Sequence, residues 1–163
     1  MLIGIDPLLS PDLLATLRAM GHGDEIALVD GNYPAQEHAR RLIRADGFHL
    51  IPVLRAILSL LPIDDFVDQP IFRAVNSRTP DRPDPIHTAI SDCCAEFAGG
   101  AKVTPLPPDA FYQRVRSAHT IVATSEPQLY GNVILRKGVI RPAVEGATPT
   151  HRLGDLSQAK ASV

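Results

Sequence analysis

Two groups of side chains in this chain have the residue types that acid–base chemistry on a small hydroxylated molecule requires. In the stretch GHGDEIALVD, His22 stands between two glycines and Asp30 follows a short apolar run. About a hundred residues later, the chain carries Tyr130, Gly131 and Asn132 in succession. An imidazole titrates near neutral pH, while a carboxylate, a phenol and an amide bind hydroxyl groups through hydrogen bonds. We therefore take these five residues as candidate site residues.

Each group also has an ordinary structural interpretation. Gly21 is suited to end a helix in the left-handed conformation, which would leave His22 as an exposed loop residue. Asp24 and Glu25 would then belong to a solvated turn, and an aspartate before a glycine, as at Asp30, is common in turns. The segment YGN is equally typical of a turn in which the tyrosine packs against the core. Residue types alone leave both interpretations open.

The elements that must position these residues alternate between helices and strands. A proline or an acid near the start of a segment, followed by apolar residues at helical spacing, predicts a helix. This pattern occurs from Ser10 to Met20, at 51–61, from Asp84 to the glycines at 99 and 100, and at 107–118. Short apolar or β-branched runs predict strands at 26–29, 42–47, 71–75, 119–124 and 132–139, with a loop at 30–35. This alternation favours an α/β fold with a largely parallel or mixed sheet.

The predicted elements give two of the candidates a meaningful place. Asp30 would lie at the carboxyl end of the strand at 26–29, and ligands of open α/β sheets bind outside the carboxyl ends of strands. His22 would lie at a junction between a helix and a strand, where a side chain can point into a cleft. Both positions are compatible with a binding site.

Composition and charge limit the classes of function. The 163 residues are enough for one domain with its own core, and with 45% hydrophobic residues and a net charge of −2 nothing favours a nucleic-acid partner. The first residues resemble no signal peptide and no apolar run is long enough for a bilayer, so we expect a cytoplasmic protein without a membrane partner. Small and polar residues predominate from Arg141 on, which predicts a domain at 1–140 and a C-terminal arm or tail at 141–163.

Metal and cofactor chemistry has little support. Cys93 and Cys94 are adjacent, so a disulfide between them would be strained, and no second thiol pair completes a zinc site. The six histidines are scattered along the chain rather than set at ligand spacing. The chain has no G-x-G-x-x-G, P-loop, H-E-x-x-H or G-x-S-x-G motif. We expect no metal, no cofactor and a reducing compartment.

Taken together, several segments of the chain resemble the family of L-fucose mutarotases and D-ribose pyranases. The matching segments are PLLSPDLLATLRAMGHGDEIALVDGNYPA at 7–35, IRADG at 43–47, AFYQRV at 110–115 and IVATSEPQLYGNVILRKGV at 121–139. The likeness covers nearly all of residues 1–140 and is weaker from about 62 to 102. The forms GHGDEI and YGN are closer to the fucose branch than to the ribose branch.

The resemblance implies a three-layer α/β/α fold, no cofactor, and a role for each candidate residue. His22 matches the catalytic acid/base, Asp30 matches a substrate-binding aspartate, and the tripeptide from Tyr130 through Gly131 to Asn132 matches the segment that contacts the sugar. It also implies a homo-oligomer, commonly a decamer of two pentamers, with each active site near a subunit boundary.

The chain departs from the family pattern at one position. Fucose mutarotases carry a substrate-binding arginine shortly before the AFY segment, and Pro108 occupies that position here. Arg73, Arg114 or Arg116 are candidates to replace it, and the sequence does not choose among them. The departure leaves the identity of the sugar open.

The chemistry of an aldose mutarotase suits these residues. Opening the sugar ring needs a proton to leave the anomeric hydroxyl and another to reach the ring oxygen, which His22 can perform. Asp30 would orient the imidazole or a sugar hydroxyl, and Tyr130 would relay a proton or bind the ring oxygen. We expect a mutarotase for L-fucose or a related aldose; a pyranase acting on ribose and a non-catalytic sugar-binding or transport-associated protein are the alternatives.

Overall fold

A mixed sheet forms the centre of the computed structural model, which describes residues 2–142. The strands are β1 (Glu25–Val29), β2 (Leu42–Ala45), β3 (Ile71–Ala74), β4 (Val103–Leu106), β5 (Thr120–Thr124) and β6 (Val133–Arg136). Their order across the sheet is β2-β5-β1-β6-β3-β4. β6 runs antiparallel to both of its neighbours, and the other pairs are parallel. The predicted mixed sheet is confirmed.

Helices pack on both faces of this sheet. The described helices are α1 (Pro11–Ala19), α2 (Ala35–His38), α3 (Leu50–Leu58), α4 (Pro85–Phe97) and α5 (Pro108–Ser117). Because side chains alternate along a strand, Ile26 and Leu28 of β1 pack with α1, α3 and α4, whereas Ala27 and Val29 pack with α2 and α5. All four side chains are fully buried, and burial of an isoleucine or leucine stabilises a fold by about 1.5–3 kcal/mol. The three-layer α/β/α prediction is confirmed.

The start of α1 is as predicted, but its end is not. Ser10 caps the helix by accepting a hydrogen bond from the Leu13 N–H at 3.2 Å. The expectation that Gly21 ends the helix in a left-handed conformation is wrong. The helix ends at Ala19, the Gly21 N–H is bonded to the Asp24 carboxylate at 2.8 Å, and the positive φ of 85° belongs to Gly23. The chain therefore turns two residues later than predicted, next to His22.

Two elements had no sequence prediction, and three predicted strands, those at 42–47, 71–75 and 132–139, end earlier than expected. β4 contains Pro105, which an edge strand tolerates but which obscures the strand pattern. α2 has only four residues, too few for a helical period. The strand expected at 132–139 ends at Arg136, because the chain then leaves the sheet and Lys137 forms an isolated bridge with Ile63.

The boundary predicted near residue 140 remains a prediction. The arm or tail expected at 141–163 lies outside the described residues, apart from 141 and 142. Within the part of the chain that the structure describes, no helix is both long and apolar enough to cross a bilayer.

Candidate active site

The candidate residues lie at opposite ends of β1. Asp30 follows Val29 at the carboxyl end of the strand, and His22 precedes Glu25 at its amino end. The five residues of β1, at about 3.3 Å each, separate these ends by roughly 17 Å. Within one chain, His22 and Asp30 therefore lie too far apart to contact each other or the same sugar.

Asp30 is held by a reciprocal pair of hydrogen bonds with Asn132. The Asp30 N–H donates to Asn132 Oδ1 at 2.9 Å, and Asn132 Nδ2 donates to Asp30 Oδ2 at 2.8 Å. The Asn32 N–H donates to the other carboxylate oxygen at 2.9 Å. Asn132 reaches Asp30 because it stands directly before β6, the antiparallel neighbour of β1. The structure thus brings together two of the sequence-predicted binding residues, both buried.

We expect an Asp30 pKa above the ordinary value of 3.8. Burial raises this pKa, and the hydrogen bonds from the Asn32 N–H and the Asn132 amide only partly oppose that effect. The contribution of Asp30 to stability is therefore largest below pH 3.8 and declines as the pH rises through its folded pKa. Carbon-detected NMR titration of the carboxyl group measures the pKa.

The matched variants of this titration differ in one hydrogen bond to the Asp30 carboxylate. Asn132→Ala removes the Nδ2 donor, so the Asp30 pKa should rise further. Asn32→Ala keeps the backbone N–H that contacts Asp30, so the pKa should stay unchanged. A wild-type pKa at or below 3.8 would contradict the assignment.

Tyr130 adopts a left-handed backbone conformation next to this pair. Its φ of 63° is the only positive φ of a non-glycine residue in the described chain. The carbonyl of Tyr130 accepts hydrogen bonds from the Asn132 N–H at 2.8 Å and from His87 Nε2 at 3.2 Å. The Tyr130 hydroxyl lies 3.3 Å from Ser77 Oγ. A conformation that costs about 1–3 kcal/mol persists where surrounding contacts impose it, here at a candidate site.

Gly131 allows the chain to pass between packed groups. A Cβ at this position would lie 2.9 Å from Glu126 Cγ and 3.1 Å from the Gln128 carbonyl oxygen. Both contacts are tighter than ordinary van der Waals packing, so a side chain at this position would force Glu126 or the turn to shift. In this chain Gly131 permits close packing of the turn itself.

His87 is a residue of this region that sequence reasoning missed. It is buried at the start of α4, where its Nδ1 accepts a hydrogen bond from the Asp84 N–H at 3.0 Å. Nε2 must then carry the proton that is donated to the Tyr130 carbonyl. Burial and the nearby Arg73 guanidinium lower the His87 pKa, which keeps the ring neutral. The sequence suggests only a helix start here, because nothing local points to Tyr130.

Two substitutions should separate the two hydrogen bonds of His87. Both His87→Gln and His87→Glu retain an acceptor for the Asp84 N–H, as in a capping box, but only glutamine offers a donor to Tyr130. We expect the glutamine variant to remain close to wild type. The glutamate variant should lose about 1–3 kcal/mol in unfolding free energy by urea denaturation, since the Tyr130 carbonyl then faces a carboxylate. Equal losses would contradict the role assigned to Nε2.

A pocket of about 450 Å³ opens beside these residues. Its polar side chains are those of Asp30, Asn32, Tyr33, Ser77, Asp109, Tyr112, Tyr130 and Asn132. Pro108 also lines it. Within residues 2–142 no arginine or lysine contributes to its wall. The pocket therefore combines hydroxyl, amide and carboxylate groups with aromatic surface.

None of the three arginines considered as replacements lines this pocket. Arg73 donates to the Ala74 carbonyl, and Arg114 binds the Glu25 carboxylate with its Nε 3.0 Å from Oε2. Arg116 contacts His38 instead. The pair with Arg114 also shows that Glu25 is not in a solvated turn, because its carboxylate packs under α5.

At the other end of β1, His22 forms a hydrogen bond with Asp64. His22 Nε2 lies 3.1 Å from Asp64 Oδ1, and Arg136 Nε donates to Asp64 Oδ2 at 2.8 Å. The His22 side chain is 44% exposed, whereas that of Asp64 is fully buried. Sequence reasoning missed Asp64, because only the tertiary structure brings it to His22. The neighbouring Ile63 forms a bridge with Lys137, just after β6, and this places Asp64 beside His22.

Asp64 determines which ring nitrogen of His22 faces outward. Burial opposes ionisation of Asp64, but hydrogen bonds from Arg136, the Phe66 N–H and His22 outweigh it, so the Asp64 pKa is lowered. An ionised carboxylate only accepts hydrogen bonds, so the proton of the neutral imidazole stands on Nε2. His22 Nδ1 is then the basic nitrogen available to a ligand.

The described residues show no arrangement of three or more His, Cys, Asp or Glu side chains that could hold a metal ion. One end of β1 thus carries the acid–base pair of His22 and Asp64, and the other end carries a pocket lined by hydrogen-bonding groups.

Comparison with known proteins decides the family. The profile of the RbsD / FucU transport protein family matches residues 3–140. The chain belongs to this family. It is 41% identical over 145 residues to the fucose mutarotase of Bos taurus, covering 85% of this chain and 94% of the bovine protein.

Solved structures of this family share the fold. The fucose mutarotase of Streptococcus pneumoniae in complex with L-fucose aligns with a TM-score of 0.79 and 41% identity, over 86% of this chain and 100% of that one. The RbsD protein of Bacillus subtilis in complex with D-ribose aligns with a TM-score of 0.66 over 82% of this chain and 95% of that one. At 18% identity this second likeness concerns the fold alone.

Proposed function

We propose that this RbsD/FucU family member is a mutarotase that interconverts the α and β anomers of L-fucose or a closely related aldose. The observation that carries the proposal is the buried pair of Asp30 and Asn132 at a pocket of about 450 Å³, in a chain 41% identical to a fucose mutarotase. Pockets of this size take small molecules. Asp30 and Asp109 would repel a phosphate, so the pocket favours a neutral sugar.

The reaction breaks and reforms one bond without oxidation or reduction. A base removes the proton of the anomeric hydroxyl while an acid protonates the ring oxygen, and the bond between C1 and that oxygen breaks. The resulting aldehyde rotates about C1–C2, and closure on the other face gives the second anomer. His22 exchanges these protons through Nδ1, while Asp64 holds its ring. Asp30, Tyr130 and Asn132 bind the sugar hydroxyls.

Each active site is completed by two subunits of a homo-oligomer, a decamer of two pentamers. Support comes from the separation of His22 and Asp30 along β1, which one sugar cannot span. Further support comes from exposed apolar side chains at both ends of β1, as expected of surfaces that a second copy covers. They are Phe66 and Val67 near His22, and Leu129 at the pocket. His22 of one subunit thus meets the pocket of its neighbour.

The enzyme acts in the cytoplasm. Cys93 and Cys94 are buried thiols, as expected of a protein kept in a reducing compartment. Burial raises the pKa of Cys94 to about 12, so this thiol stays protonated and unreactive at neutral pH.

Saturation-transfer NMR on equilibrated sugars tests the function. Saturating the α-anomer resonance of L-fucose should transfer saturation to the β-anomer faster when the protein is present. Exchange confined to D-ribose would identify a pyranase instead. Calorimetric binding without faster exchange of any aldose would identify a sugar-binding protein and contradict the proposal.

A further inference from the structure

The wall of the pocket contains a chain of hydrogen bonds that none of the candidate residues explains. Tyr33 is buried in this wall, and its hydroxyl lies 3.0 Å from Nδ1 of His38, on α2. His38 Nε2 in turn lies 3.0 Å from Nη2 of Arg116, on α5. The ring of Tyr112, which also lines the pocket, packs against the rings of Tyr33 and His38.

The direction of these hydrogen bonds follows from the donor inventory. A guanidinium group only donates, so Nε2 of His38 accepts from Arg116. A neutral His38 then carries its proton on Nδ1 and donates it to the Tyr33 oxygen. Burial and the Arg116 charge both lower the His38 pKa, which favours the neutral ring. The chain of donors runs from Arg116 to Tyr33.

The Tyr33 hydroxyl, the last group in this series of hydrogen bonds, has one proton without an acceptor among the described residues. Among residues 2–142 the Tyr33 oxygen has no hydrogen-bond partner besides His38, so its own O–H is free to donate. Burial raises the Tyr33 pKa, as do the neighbouring Tyr112 and Asp30, and the phenol keeps its proton at neutral pH. An oxygen that accepts a hydrogen bond is also a better donor, because bonds in a chain polarise one another.

We propose that Tyr33 is a substrate-binding residue of this enzyme, donating a hydrogen bond to an oxygen of the sugar from a pocket wall that no arginine or lysine among residues 2–142 lines. Arg116 and His38 are positioning residues that hold the Tyr33 hydroxyl. Tyr33 thereby offers a neutral donor to the pocket, which suits a neutral aldose with a hydroxyl or ring oxygen at this wall. This inference rests on the proposed function.

The test is Tyr33→Phe, which removes one oxygen from a packed ring. Saturation-transfer NMR over a range of L-fucose concentrations should show KM raised by roughly 2- to 12-fold with kcat little changed, the equivalent of one neutral hydrogen bond. Calorimetry should show the same loss in sugar affinity. Thermal unfolding of the variant should stay close to that of the wild type, since the ring contacts remain and the partly exposed His38 can donate its Nδ1–H to water.

Deoxy sugars identify the contacted oxygen. The affinity for each monodeoxy analogue is measured with the wild type and with Tyr33→Phe. For the analogue that lacks the contacted oxygen, the loss of affinity caused by the missing hydroxyl and the loss caused by the substitution should not add.

The positioning role predicts that Arg116→Gln raises KM as Tyr33→Phe does and that Arg116→Lys restores part of the lost affinity. Arg55→Gln, which breaks an exposed ion pair with Glu96 on the other face of the sheet, is the control and should change nothing.

The outcomes separate the two proposals. A wild-type protein that binds sugar but does not exchange anomers contradicts the proposed function, and the calorimetric loss in Tyr33→Phe still supports the binding role. Wild-type exchange with unchanged KM and affinity in Tyr33→Phe overturns this inference alone. A wild-type protein that binds no aldose overturns both.

Discussion

Replacing His22 with alanine is expected to slow enzyme-catalysed anomer exchange by about 10²- to 10⁴-fold, the usual contribution of a general acid–base. His22 is 44% exposed and its Nε2 is held by the buried Asp64 carboxylate, which leaves Nδ1 as the nitrogen that can accept a proton. Saturation-transfer NMR on L-fucose measures the rate. Calorimetry should show that the variant still binds the sugar, because Asp30, Tyr130 and Asn132 are unchanged.

Mixing variants tests whether two subunits share each site. His22→Ala and Asp30→Asn should each be inactive alone, since each destroys every site of its own oligomer. After joint unfolding and refolding, some interfaces combine His22 from one variant with Asp30 from the other. Random assembly of a head-to-tail ring should restore about a quarter of wild-type activity. No recovery in mixed oligomers, together with intact oligomer size, would contradict the shared site.

Replacing Gly138 with alanine is expected to be one of the two most destabilising changes considered, together with His87→Glu. A Cβ here would lie 2.5 Å from the Ile63 carbonyl oxygen and 2.8 Å from Asp64 Cα, both backbone atoms. The Gly138 N–H also donates to the Pro62 carbonyl at 2.8 Å, so the two segments cannot separate freely. Urea denaturation should show a loss of about 1–3 kcal/mol in unfolding free energy, as for overpacked cores.

Gly138→Ala should also reduce activity, because any shift of the segment at 62–64 moves the Asp64 carboxylate away from His22. Gly21→Ala is the matched control for stability. At that position the nearest atom to a Cβ is Asp24 Oδ2 at 3.7 Å, an ordinary contact. The control should change the unfolding free energy by at most about 0.5 kcal/mol. Similar stabilities of the two variants would contradict the packing argument.

Much of the fold could be predicted because local patterns agree with it. Ser10 followed by Pro11 marks a helix start in any context, since the hydroxyl satisfies an N–H that the helix cannot. The short apolar run of β1 predicts a buried strand, and in the structure helices cover both faces of that strand. β4 and α2 were missed because a proline interrupts one and the other is shorter than two helical turns.

The candidate site could be predicted only in part. The family resemblance singled out His22, Asp30, Tyr130, Gly131 and Asn132, and their roles await the experiments above. What the resemblance did not reveal is how each is held. Asp64, which contacts His22, is 42 residues away in the chain, and His87, which contacts Tyr130, is 43 residues away.

The helix starts, the buried strands and the residues able to do acid–base chemistry could be predicted because they depend on side-chain type and short-range spacing. Which of these residues meet depends on how the strands pair. The antiparallel pairing of β6 with β1 places Asn132 beside Asp30 at one end of the strand and Arg136 near His22 at the other. The length of β1 then separates His22 from Asp30, since an extended strand holds its two ends apart.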